Sequence, residues 1–233
     1  MTGRLGDVVD HTLLRADANS AEIDRLCAEA VEHRLFAVCV NPLWVERCHD
    51  TLRGSGVRVV SVVGFPLGAA TTITKVAEAE GLVALGADEL DMVVALGALK
   101  SGDWTTVATD IKTVVRAAGP DVLVKVIVES AALTDDELIH ACRVARDAGA
   151  GFVKTSTGFH PAGGATTAAV ALMRQTVGDD LGVKASGGIR DCRTASAMLA
   201  NGASRIGTSA GVALADCMGA ELVSGIFESG EHG

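Results

Sequence analysis

Lys125, Lys154 and Lys184 lie 29 and 30 residues apart, each inside or at the end of an apolar, β-branched run. Lysine is among the residues least often buried, so three in register need a reason. Neighbouring cations and desolvation both lower a lysine's pKa, and a lysine that can act as a free amine attacks carbonyls to form a Schiff base. The alternative is an ion-pair network with Asp10, Asp91 and Glu129. Side chains alternate along a strand. Asp10 therefore goes with Thr12, and Glu89 with Asp91 and Val93. Leu123, Lys125, Ile127 and Glu129 share a face, as do Gly182, Lys184 and Ser186. If these polar faces turn into a barrel, the lysines and aspartates converge at one mouth.

A second set could bind an anion. Ser186-Gly187-Gly188 and Gly207-Thr208-Ser209 each follow an apolar run and precede a helical segment. Barrels hold phosphates on backbone N–H groups after their seventh and eighth strands, at a helix N-terminus. Thr157-Gly158 would complete the cradle.

The elements that must position these residues are legible. Strand candidates cover 8–14, 36–41, 57–66, 88–95, 122–129, 151–156, 182–188 and 204–209, alternating with helical segments such as 20–34, 134–149 and 191–202. Thr134 and Glu137 form a capping-box pattern. Gly86, Gly149 and Gly202 sit where helices close, each followed by Ala and then a strand. Eight strands at a repeat of about 29 residues predict an α/β protein, a (β/α)8 TIM barrel forming a single domain over 1–233. A doubly wound sheet is disfavoured, because no Gly-rich turn follows the first strand.

Composition narrows the function. With 48% apolar residues the chain can bury a substantial core. A net charge of −9, no tyrosine and few other aromatics argue against nucleic acid as partner. The N-terminal stretch lacks a signal-peptide core and no apolar run reaches membrane-spanning length, so a cytoplasmic protein without membrane contact is expected. The six cysteines form no CxxC and the six histidines no metal spacing, which predicts reduced thiols and no metal. Cys39 reads as a small buried hydrophobe, or as a thiol near the mouth open to alkylation by unsaturated aldehydes.

Seven motifs in order, VDHTLL (9–14), VVGFPLGA (62–69), ELDMVV (89–94), VKVIVES (124–130), KTSTGF (154–159), VKASGGIR (183–190) and RIGTSAG (205–211), resemble the deoxyribose-phosphate aldolases. The resemblance implies a metal-independent, cofactor-free class I aldolase. Its members cleave 2-deoxy-D-ribose 5-phosphate reversibly to D-glyceraldehyde 3-phosphate and acetaldehyde. It implies Lys154 as the Schiff-base lysine, Lys184 as the neighbouring cation that lowers its pKa, and Asp91 as the proton-transfer carboxylate acting through water. Asp10, Thr12 and Lys125 would line the site, and Gly158, Gly187, Gly188 and Ser209 would hold the phosphate. A homodimer is the assembly it implies.

The chain departs from the family twice. Phe159 stands where some members carry a lysine, which shifts phosphate binding toward backbone donors or Arg190. A C-terminal tyrosine used by some members is absent; CMGAELVSGIF is expected as a last helix under the barrel and ESGEHG as a frayed tail. His160–Gly164 reads as an exposed loop or a lip over the site. Two other readings stay open: a different Schiff-base lyase on the same barrel, and a catalytically silent barrel that senses a sugar phosphate.

Overall fold

The computed structural model describes residues 4–215 and Cys217. The expected last helix and tail, from Met218 onward, lie outside the described residues. Strands β1 (Val9–Leu13), β2 (Ala37–Val40), β3 (Arg58–Val63) and β4 (Glu89–Val93) are followed by β5 (Leu123–Ile127), β6 (Phe152–Lys154), β7 (Gly182–Ser186) and β8 (Arg205–Thr208). All neighbours pair in parallel and β8 closes on β1, giving the expected (β/α)8 barrel.

Helices α1 (Ser20–Glu32), α2 (Val45–Leu52), α3 (Thr72–Ala84), α5 (Trp104–Ala118), α6 (Asp135–Asp147), α7 (Thr167–Val177) and α8 (Cys192–Ala200) cover the outside, with short α4 (Leu96–Lys100) and α9 (Gly211–Ala215). The capping box at Thr134 and Glu137 opens α6, and a second at Asn19 and Glu22 opens α1.

The Gly-Ala repeat has a physical account. Gly86, Gly149 and Gly202 have φ of 94, 91 and 104°. Each glycine N–H bonds back to the helix (Gly86 to Val83, Gly149 to Arg146, Gly202 to Leu199). Each following alanine N–H reaches one carbonyl further (Ala87 to Leu82, Ala150 to Ala145, Ala203 to Met198). This is the Schellman closure, which satisfies carbonyls a helix end leaves open. The next residue then joins the preceding strand: Asp88 N–H donates to Val59, Gly151 to Val124 and Ser204 to Val183. The three-residue unit stops a helix and starts the ladder of β4, β6 and β8.

Strand β6 is shorter than expected: the Thr155 N–H still donates to the Lys184 carbonyl at 3.0 Å, but the next contacts with β7 run through its side chain. Its hydroxyl donates to the Ser186 carbonyl at 3.1 Å and accepts the Ser186 N–H at 3.0 Å.

Two apolar clusters form. The larger lies between helices and barrel wall. The smaller fills one side of the barrel interior: Leu14, Ala37, Cys39, Val60 and Val62, with Phe36 and Phe65 packed on it. The other side of the interior is charged.

The expectation of reduced thiols does not hold for one pair. Cys192 and Cys217 form a disulfide, with Cα atoms 5.9 Å apart. They are 25 residues apart in sequence, and only the packing of α9 against α8 makes them neighbours. Cys27, Cys39, Cys48 and Cys142 are free and buried.

Behind β4, the fully buried Lys75 donates to Asp110 Oδ2 at 2.5 Å and to the Val93 carbonyl at 2.9 Å, while Thr72 donates to Asp110 Oδ1 at 2.8 Å. This pair ties α3 and α5 to the end of the strand that carries Asp91. Asp110→Ala is expected to destabilise the fold by about 3–5 kcal/mol, since it strands a buried ammonium. A urea titration checks this: the midpoint falls at unchanged slope.

Candidate active site

Register brings the lysines together. Asp91 is paired with Lys125, Ile127 with Lys154, and Lys154 with Lys184, so β4 to β7 carry their charged residues at adjacent levels. Asp91 Oδ1 accepts from Lys125 at 2.7 Å; its Oδ2 accepts from Lys154 at 2.7 Å and from Lys184 at 2.8 Å. Lys184 also donates to Asp10 Oδ2.

Below this layer, Lys125 meets Glu89 at 2.6 Å, and Arg205 joins Asp10 Oδ1 at 3.0 Å and Glu89 at 3.3 Å. The Arg205 guanidinium lies 3.5 Å from the centre of the Phe36 ring. Sequence reasoning noted Glu89 only as a face-mate of Asp91 and missed Arg205. The available signal was that Arg205 shares a strand face with Gly207.

Four cations thus face three carboxylates, all at most 8% exposed. Lys125 and Lys184 each contact two carboxylates, whereas Lys154 contacts one oxygen, which it shares with Lys184. Lys154 is also the one lysine of the three with measurable exposure, 3%. An amine that must leave its ion pair to attack a carbonyl has least to break at Lys154.

Burial opposes the charge on Asp91, but Lys125, Lys154 and Lys184 outweigh it and hold the carboxyl well below its usual range. Asp10 is lowered in the same way, burial being overcome by Lys184, Lys125 and Arg205. For Lys184 burial again opposes the charge, yet Asp10 and Asp91 raise its pKa, so it stays a cation. Cys39 faces this layer, and burial pushes its thiol up to about 11. It is a thiol rather than a thiolate at neutral pH, which fits the small-hydrophobe reading.

Close approach fixes two glycines. A Cβ on Gly207 would lie 3.0 Å from Lys184 Cε, and one on Gly182 would lie 2.1 Å from the Phe152 ring. Gly207 therefore clears the path of Lys184, a reason separate from any phosphate.

Thr12 sits half-buried above Asp10, its hydroxyl donating to the Asp10 carbonyl. Gly158, Gly187 and Gly188 have φ of 85, 88 and 84°, and the loops after β6 and β7 abut there. A Cβ on Gly164 would meet the Gly187 carbonyl oxygen at 2.2 Å, and Ala165 N–H donates to the Ser186 and Gly187 carbonyls. The end of the His160–Gly164 segment is thus packed onto the turn. Among the described residues, the Gly158 and Gly188 N–H groups donate no hydrogen bond.

The turn after β7 precedes helix α8, as expected, with a short spacer between them. Ile189, Arg190 and Asp191 intervene, and Asp191 caps α8 by accepting the Thr194 N–H. Ser209 is exposed before α9, which has only five residues. One expectation needs correction: Glu129 does not share the face of Lys125. Strand β5 ends at Ile127, and Glu129 adopts φ 58°, ψ 56°, so alternation stops and its carboxylate turns to the loop after β6.

The profile of the DeoC/LacD family aldolases matches residues 7–217. The chain belongs to this family. A deoxyribose-phosphate aldolase of Brevibacillus brevis is 56% identical over 88% of this chain and 92% of its own length. One from Streptococcus pneumoniae is 54% identical over 91% and 95%. Among solved structures, the aldolase QR15 superimposes with a TM-score of 0.87 at 40% identity, over 91% of this chain and 94% of that one. The tetrameric deoxyribose phosphate aldolase of Aeropyrum pernix gives 0.85 at 33%, over 91% and 89%.

The aldolase's buried carboxylates predict its acid response. Asp10 and Asp91 titrate below their unfolded value of about 3.9, so the unfolded chain takes up protons first as pH falls. Their stabilisation is complete above about pH 5 and is lost progressively below about pH 4. The urea midpoint should hold steady from neutrality to about pH 5 and then drop. Asp10→Asn should lower the neutral midpoint and flatten that drop; an equally steep drop in the variant would contradict the assignment.

Proposed function

We propose that the protein cleaves 2-deoxy-D-ribose 5-phosphate reversibly to D-glyceraldehyde 3-phosphate and acetaldehyde, with Lys154 as the Schiff-base residue. The observation that carries this reading is the Asp91 Oδ2 contact shared by Lys154 and Lys184, at 2.7 and 2.8 Å. It places a weakly held amine beside a cation that keeps its proton.

The Lys154 amine attacks C1 of the open-chain sugar, and loss of water gives a protonated imine. Deprotonation of the C3 hydroxyl and cleavage of the C2–C3 bond send that electron pair into the imine. Glyceraldehyde 3-phosphate leaves, and an enamine of acetaldehyde remains on Lys154. Protonation at its terminal carbon and hydrolysis release acetaldehyde and regenerate the amine. Asp91, held ionised, keeps Lys154 and Lys184 in place and orients the water that carries protons. Asp10 fixes Lys184 from the other side, and Thr12 and Lys125 border the sugar. The imine does the work of an electron sink, which a metal does in other aldolases.

Gly158, Gly187, Gly188 and Ser209 present backbone donors to the phosphate, with the exposed Arg190 nearby. Phe159 packs away from them, its ring meeting Phe65 edge-on at 5.3 Å and walling the apolar side of the mouth. A homodimer working in the cytoplasm is the assembly and setting we propose; among the described residues no helix is long and apolar enough to cross a membrane.

Incubation with 2-deoxyribose 5-phosphate, borohydride reduction and peptide mapping test the assignment. The adduct is expected on Lys154, and Lys154→Arg should abolish both adduct and turnover. Asp91→Asn should lower kcat by about 10²–10⁴-fold. A folded protein that binds the sugar phosphate yet traps no adduct would be the silent barrel instead.

A further inference from the structure

Glu129 is a buried carboxylate that the mechanism above does not use. It is 1% exposed, yet among the described residues all the hydrogen bonds to its carboxylate come from one neutral residue. Thr157 donates its N–H to both carboxylate oxygens, at 3.2 and 3.3 Å, and its hydroxyl to Oε2 at 2.6 Å. The same hydroxyl accepts the Phe159 N–H at 3.1 Å. Thr157 and Phe159 are thereby fixed on either side of Gly158, whose own N–H is left without a partner.

The backbone at Glu129 supports the same reading. It and Arg34 are the two non-glycine residues with positive φ among the described residues. A left-handed conformation at a side-chain-bearing residue costs about 1–3 kcal/mol and persists where surrounding structure over-determines it. Here it swings the carboxylate from the end of β5 toward the turn after β6. Adjacent side chains offer no substitute: the hydroxyls of Ser130 and Ser156 are buried and unpartnered.

We propose that Glu129 is a positioning residue that aims the Gly158 N–H at the substrate phosphate, and so sets the preference for phosphorylated over free deoxyribose. This rests on the phosphate site proposed above. The N–H of Thr157 is occupied by Glu129, so the carboxylate also decides which amide of the turn faces the anion. A preformed donor costs no reorganisation when the ligand arrives, whereas a loosened turn must be ordered on binding.

The test compares kcat/KM for 2-deoxyribose 5-phosphate and for 2-deoxyribose in wild type and Glu129→Gln. A carboxamide keeps the shape but offers one acceptor oxygen in place of two. The ratio of the two values is expected to fall about tenfold, the size of one lost charge-assisted hydrogen bond. Thr157→Val, which removes the hydroxyl from the far end of the same contact, should shift the ratio in the same direction, and Thr157→Ser should restore it. A fall under about threefold in both Glu129→Gln and Thr157→Val, including equal losses on both substrates, overturns the proposal and leaves Glu129 a structural residue.

Calorimetry with inorganic phosphate separates this from a failure of the proposed reaction. If wild type turns over neither sugar, weaker phosphate binding by both variants still supports positioning by Glu129, and unchanged binding refutes it.

Discussion

The barrel depends on one buried carboxylate. Asp91 meets three lysines with two oxygens, and Asp10, Glu89 and Arg205 connect to it through those lysines and one another. Isolated charges at such depth would be forced to neutralise, since desolvating an ion costs several kcal/mol. Asp10, Asp91 and Lys184 keep their charges because the members of the network satisfy one another. Its buried members are also unbalanced, with four cations for three carboxylates, and the imbalance falls at Lys154, the lysine of the three with measurable exposure. A site that must hold a reactive amine away from bulk water can be built in this way, from a surplus of cations around a scarce carboxylate.

The interior is divided to allow it. The β2–β3 side is filled by Ala37, Cys39, Val60 and Val62, while β1 and β4 to β8 supply the charges. Gly182 and Gly207 carry no side chain because Phe152 and Lys184 need the space. The apolar side continues upward into Phe65 and Phe159, and the charged side into the glycine turns, so a substrate with a short carbon end and an anionic end meets two unlike walls.

Much of this was legible in the chain. The lysine spacing follows from the βα repeat and set Lys154 level with Lys125 and Lys184, while strand alternation gave Asp10, Asp91, Lys125 and Lys184 polar faces that converge once they turn into the barrel. The Gly-Ala repeat marked helix closures whose hydrogen bonds are local. Glu129 was misplaced because alternation was carried two residues beyond the strand's end. Arg205 was missed because its one signal, a strand face shared with Gly207, recurs at no other strand.

Sequence by itself determined the eight-fold alternation, the strand faces and the helix stops, because each depends on contacts within a few residues. Tertiary structure alone decided which carboxylate oxygen each lysine meets, how Cys192 finds Cys217, and how Glu129 clamps Thr157 from 28 residues away. Those outcomes depend on strand register and on where loops leave the ladder. Such distances are set by closing the barrel, and no local pattern of residue types encodes them.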